Sequence, residues 1–108
     1  MLITLNNNRY TIEVVEPDNE NLLFEGKYRT GVTHFVDKTI YIANNLNKYT
    51  LKYTLLHELT HAVQDSFGFL QVEWNDEIVA DFMANYMDLI ATKYNDIIGF
   101  IMEQIKND

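Results

Sequence analysis

From Asn47 to Phe67 the chain runs without proline or glycine, and Gly68 follows where a helix of that length would turn out. Stepping 100° per residue from Leu55 puts Leu51, Leu55, Leu56, Leu59, Ala62 and Val63 inside one arc of roughly 140°. Thr50, Thr54, His57, Glu58, His61 and Asp65 fall on the opposite side. A run this long and this two-faced predicts an amphipathic helix. Whatever the rest of the chain folds into must cover its apolar arc.

The polar side carries His57, Glu58, Leu59, Thr60 and His61, which read H-E-x-x-H. Two histidines four apart stand about one helical turn from each other on the same face. Both rings can then turn toward one metal ion. Glu58, beside the first histidine, can reach a water on that ion and take its proton. Two of the chain's three histidines lie in this motif, and neither falls in the apolar arc.

A second amphipathic run begins at Trp74. On its wheel Ile78, Val79, Phe82, Met83, Tyr86, Leu89 and Ile90 form the apolar arc, while Glu77, Asp81, Ala84 and Asp88 form a separate stripe. Glu77 and Asp81 are four apart and share a face. One can ligate the metal, and the other can accept the outer N–H of a ligand imidazole. Ala80, Ala84 and Ala91 lie beside the stripe, small enough to let two helices approach closely.

H-E-L-T-H followed by E-x-x-A-D at Glu77 to Asp81 resembles the gluzincin pattern. More narrowly, the chain resembles the small ImmA/IrrE-type metallopeptidases of phages and mobile elements. The resemblance covers Gly31 through Thr39-Ile40-Tyr41-Ile42, then Leu55 to Ala62, then Glu77 to Ala84. It implies a minimal zincin-like fold with zinc held by His57, His61 and Glu77, Glu58 as general base, and Asp81 orienting a ligand histidine, His57 being preferred. It also implies a strand at the sheet edge bordering the zinc cleft, assigned to Gly31 to Phe35, and a substrate that is a separate repressor-type transcription regulator. One departure is Asp76, where gluzincins outside this family often have Asn. A metzincin is excluded, because Gln64 and Phe67 occupy the positions of its glycine and third histidine.

Composition narrows the classes further. At 108 residues and 47% hydrophobic content the chain suits a single domain, residues 1–108, with a real core. Without cysteine there are no disulfides and no thiolate metal sites, which fits a reducing cytoplasm. A net charge of −8 argues against nucleic acid as a direct partner. Met1 to Tyr10 has neither the basic start nor the apolar core of a signal peptide, and no apolar run approaches a membrane span.

The predicted architecture is α+β, with a small antiparallel N-terminal sheet, a pair of zinc-binding helices and a C-terminal helix. Leu2 to Leu5 and Arg9 to Glu16 read as a hairpin turned at Asn6-Asn7-Asn8. Asn21 to Glu25 fits a short helix or a loop. Val32 to Val36 and Thr39 to Ala43 read as a second hairpin turned at Asp37-Lys38, antiparallel because the connections are short. The Glu77 helix is expected to end near Tyr94. Asn95 and Gly99 then mark a break before a last helix carrying Ile97, Ile98, Ile101, Met102 and Ile105.

The expected function is zinc-dependent hydrolysis of a specific protein. His34 and Phe35 are candidate substrate contacts, and Tyr41, Tyr53 or Tyr86 is a candidate oxyanion stabiliser. The alternative from another class is a non-enzymatic, zinc-containing module that binds a regulator. A closed structural site of that kind needs a fourth protein ligand, which only Asp65, Asp81 or Asp88 could supply.

Overall fold

The computed structural model describes residues 1–106. Its two helices lie against one face of a four-stranded sheet. Strand β1 (Leu2–Leu5) and strand β2 (Asn8–Val15) form the expected hairpin. Asn6 takes φ of 55° at its turn, a conformation Asn tolerates. A 3-10 turn at Glu20–Leu22 follows, then the two short strands β3 (Leu23–Phe24) and β4 (Lys27–Tyr28), which pair with each other. The second hairpin is β5 (Gly31–His34) and β6 (Thr39–Ala43).

The sheet order is β1-β2-β6-β5, and β2 pairs with β6 in parallel. The sheet is therefore mixed, and the wholly antiparallel sheet read from the sequence is corrected. A parallel pair needs a crossover of a dozen or more residues. The stretch from 16 to 30 is that long. It carries the chain past the β6 position to the far edge, and the β5–β6 hairpin then folds back into the centre.

Register sets which side chains face the helices. Ile12 opposes Ile40, Val14 opposes Ile42, Thr33 opposes Ile40 and Gly31 opposes Ile42. Directly opposed residues point to the same side of a sheet. The helix-facing side therefore carries Ile12, Ile40, Ile42, Gly31 and Thr33, and Val32, His34 and Tyr41 face the other way. On that outer side Leu22 from the 3-10 turn packs with Val32 and Ala43 in a small second core.

Helix α1 (Lys48–Ser66) starts on Asn47, whose side chain accepts from the Thr50 amide at 2.8 Å. It ends at Phe67, with Gly68 at φ +82° just beyond, as the sequence suggests. Leu51, Leu55, Leu59, Ala62 and Val63 are buried in the main core with Ile3, Leu5, Tyr10, Ile12, Ile40 and Ile42. The hairpin turn also grips the end of this helix: Asn6 Nδ2 donates to the Ser66 carbonyl at 3.0 Å, and Asn8 Nδ2 to Ser66 Oγ at 3.2 Å.

Helix α2 (Asp76–Lys106) is a single unbroken element capped by Asn75, which accepts from the Ile78 amide at 3.0 Å. The expected break at Asn95 and Gly99 does not occur. A glycine inside a helix costs about 1 kcal/mol. Continuing the helix keeps Ile97 and Ile101 fully buried, each worth about 1.5–3 kcal/mol, which outweighs that cost. No helix among the described residues is long and apolar enough to cross a membrane.

Candidate active site

A cleft of about 600 Å³ lies between β5, α1 and the connector that follows α1. His57, Glu58 and His61 line it from the helix, Gly31, Val32, Thr33 and Phe35 from the strand side, and Phe69, Leu70 and Trp74 from the connector. The motif thus opens onto a concavity, as a site for an extended ligand requires.

His57 and His61 come together as the helical spacing dictates. Their Nε2 atoms are 3.2 Å apart and their rings nearly perpendicular, at 81°. The other side of the His61 ring is fixed by Gln64, whose Oε1 accepts from Nδ1 at 3.1 Å. An amide oxygen only accepts, so Nδ1 carries the proton and Nε2 keeps its lone pair toward His57. Gln64 therefore orients His61, a contact separate from the one the sequence reading gave to Asp81, for which His57 was the preferred ring. Its position three residues after His61 on the same helix face is the signal that was available.

Glu58 is 8% exposed although it sits on the polar side of the wheel. Strand β5 lies over that side. Thr33 Oγ1 contacts Glu58 Oε1 at 2.8 Å and the Glu58 carbonyl oxygen at 3.1 Å. One residue before the strand, the Thr30 hydroxyl meets that of Thr54 at 2.9 Å. Gly31 permits this closeness, since a Cβ there would stand 2.5 Å from Thr54 Cγ2 and 3.0 Å from Glu58 Cγ. Thr33 was missed by sequence reasoning, because its tie to Glu58 depends on the register of β5 rather than on any local pattern.

Glu77 and Asp81 share a face of α2 as predicted, but that face is exposed and neither lines the cleft. Among the described residues no three His, Cys, Asp or Glu side chains converge in a way that could hold a metal ion. The rotation of α2 is set by its aromatic residues. Phe82 packs on Phe69 at 5.3 Å, Trp74 at 5.4 Å and Tyr86 at 5.2 Å between ring centroids, and Tyr86 stacks on Phe67 at 4.5 Å. Seating this cluster turns Ala80, Ala84 and Ala91 to solvent, so the expected close approach at the alanines is corrected. Val79 and Met83, counted in the apolar arc, are also exposed.

His34 and Phe35 part company: His34 ends β5, and Phe35 opens the turn that follows it. Phe35 lines the cleft, with its ring edge-on to His61 at 6.5 Å. His34 lies on the outer face, against the Tyr41 ring at 4.8 Å and with Nε2 3.1 Å from the Asn21 carbonyl. It does not line the cleft. Of the three candidate tyrosines, Tyr53 lines the cleft and stacks on His57 at 5.8 Å. Tyr41 lies outside it, its phenol held above the ordinary value by burial and by the nearby Asp37 charge.

Asp65, on the polar side of α1, is occupied elsewhere. Lys38 Nζ donates to its Oδ2 at 2.6 Å, and the Tyr10 hydroxyl donates to the same oxygen. Burial, reinforced by this bond to Asp65, pushes the Tyr10 phenol well above its ordinary value. The trio ties the sheet to α1 and leaves Asp65 unsuited to a metal.

Comparison with family models, curated proteins and solved structures finds no match to this chain.

Proposed function

We propose that the chain is a zinc-dependent hydrolase of peptide bonds. The observation that supports this most is the His57–His61 pair, with Nε2 atoms 3.2 Å apart on the wall of a cleft that also holds Glu58. Two nitrogens on one tetrahedral zinc, each at about 2.0–2.1 Å, stand roughly 3.3 Å apart. The pair therefore fits two positions of such a site. Two imidazoles and one carboxylate are a donor set that zinc takes in hydrolytic sites. Glu77 as that carboxylate would require the start of α2 to move toward His61.

His57, His61 and Glu77 would hold the metal, and zinc when bound supplies Lewis acidity that polarises an amide carbonyl and makes a water acidic near neutral pH. The chain's own groups do the rest. Glu58 takes a proton on its carboxylate and delivers it to the leaving amine nitrogen. Gln64 holds the His61 ring in the tautomer that presents Nε2. Phe24, Phe35, Phe69 and Trp74 line the cleft with apolar surface for substrate side chains. Strand β5 stands at a sheet edge, where an extended segment can pair with its backbone. The family resemblance extends the proposal to a repressor-type transcription regulator as substrate and to the cytoplasm as location.

A second reading, a non-enzymatic zinc-containing interaction module, would need four protein ligands, yet Asp65 is held by Tyr10 and Lys38, and Asp81 and Asp88 are exposed. Metal content by mass spectrometry, followed by peptide hydrolysis, separates the two. The peptidase reading expects one zinc per chain in wild type and in Glu58→Gln, weaker binding in Glu77→Ala, and hydrolysis in wild type alone. Zinc retained in all three with no hydrolysis by wild type selects the module. Wild type that takes up no zinc at neutral pH sinks both.

A further inference from the structure

We propose that Thr33 is the positioning residue of Glu58, and this rests on the peptidase reading. The Thr33 hydroxyl has one proton and two nearby acceptors, Glu58 Oε1 at 2.8 Å and the Glu58 carbonyl at 3.1 Å. The carboxylate oxygen is the nearer, so it takes the proton as the stronger bond. Among the described residues the Glu58 carboxylate has no other hydrogen-bond partner. With Oε1 anchored, Oε2 is the oxygen left to carry a proton.

The anchor is built into the sheet. Thr33 opposes Ile40 and so faces the helices, and Gly31 two residues earlier lets β5 press against Thr54 and Glu58. The β-branch of Thr33 restricts its χ1, which keeps the hydroxyl aimed. The strand that lines the cleft thus also fixes the base. A carboxylate free to swing would be misplaced by about 1 Å or more, an error large enough to slow proton transfer without loosening substrate.

The test uses the full chain loaded with zinc and a set of quenched fluorescent peptides with aromatic or aliphatic residues at their centre. The peptide cleaved fastest is then used for kinetics. Thr33→Val removes the hydroxyl and keeps the shape, and it is expected to lower kcat by roughly 10- to 100-fold. KM should stay within about twofold of wild type. Thr33→Ser should restore most of kcat.

A purely structural role would lower the urea midpoint while leaving kcat of the folded enzyme near wild type, and that result overturns the proposal. So does a Thr33→Ser variant as impaired as Thr33→Val. Should Thr33→Val fail to fold, Thr33→Ala carries the same comparison. Wild type that cleaves, is stopped by Glu58→Gln, and keeps its kcat in Thr33→Val overturns this inference alone. Zinc-loaded wild type that cleaves no peptide overturns the peptidase reading and this inference with it.

Discussion

On α1 the side opposite the apolar arc is partly covered: His57 is exposed, but Thr54 is 2% exposed, Glu58 is 8% exposed, and each of these two meets a threonine of the β5 segment. On α2 the corresponding side, with Glu77, Asp81, Ala84 and Asp88, stands in solvent. Both helices have the same two-faced pattern, but the edge strand β5 reaches part of the polar side of α1, whereas α2 rests on one side only. A polar stripe on a wheel says where charge gathers. It does not say whether another element will arrive to use it. Polar groups can be buried on α1 because β5 brings hydroxyl partners, and among the described residues α2 has no such visitor.

The comparison can be broken from either helix. Phe82→Ala should have the largest effect, costing about 3–5 kcal/mol, because Phe82 is 2% exposed and seats the aromatic cluster that sets the rotation of α2. Urea unfolding measures the loss. The emission of Trp74, the chain's only tryptophan and 5.4 Å from that ring, should shift with it. An unchanged midpoint would mean that α2 is held by something else.

Gly31→Ala tests the covered side of α1. The added Cβ must push Thr54 or the strand aside, at a cost of about 1–3 kcal/mol. If stability holds, β5 does not press on the helix as described.

The clasp of Tyr10 and Asp65 carries a pH signature. The folded phenol holds its proton above the ordinary value, so the unfolded chain ionises first, at about pH 10. Stability is therefore complete below about pH 10 and falls as pH rises beyond it, by up to ~1.4 kcal/mol per pH unit, until the folded phenol ionises too. The difference between wild type and Tyr10→Phe across pH 9–11 should show this slope. Parallel curves would refute it.

Glu77→Ala should be the mildest, changing stability by less than about 0.5 kcal/mol, since the side chain is exposed. Its zinc affinity carries the information. If the α2 stripe is recruited by metal, affinity should fall by roughly tenfold or more. Equal affinity would leave the two helices as different in solution as they are in the fold.

Much of the site could be read before the fold was known, and the limits are physical. Spacing four along a helix was enough to bring His57 and His61 together, because the helix itself fixes that geometry. Within the strand read from the sequence, Val32 to Val36, alternation already set His34 and Phe35 on opposite faces, whereas the structure ends β5 at His34 and leaves Phe35 in the turn. The parallel β2–β6 pair was hidden because short hairpin connections suggest antiparallel neighbours, whereas the long stretch from 16 to 30 decides the order.

By itself the sequence determined the local, periodic features: α1 with its Asn47 start and Gly68 exit, two hairpins, and the histidine pair on one face. Each follows from interactions within a few residues. Only the tertiary structure decided the partners across the fold. Thr33 reached Glu58 through sheet register, Tyr10 reached Asp65 across the core, and Glu77 was turned outward by aromatic packing. Those outcomes depend on which of several well-formed surfaces bury against each other, and that competition is settled by summed contacts that no single stretch of chain contains.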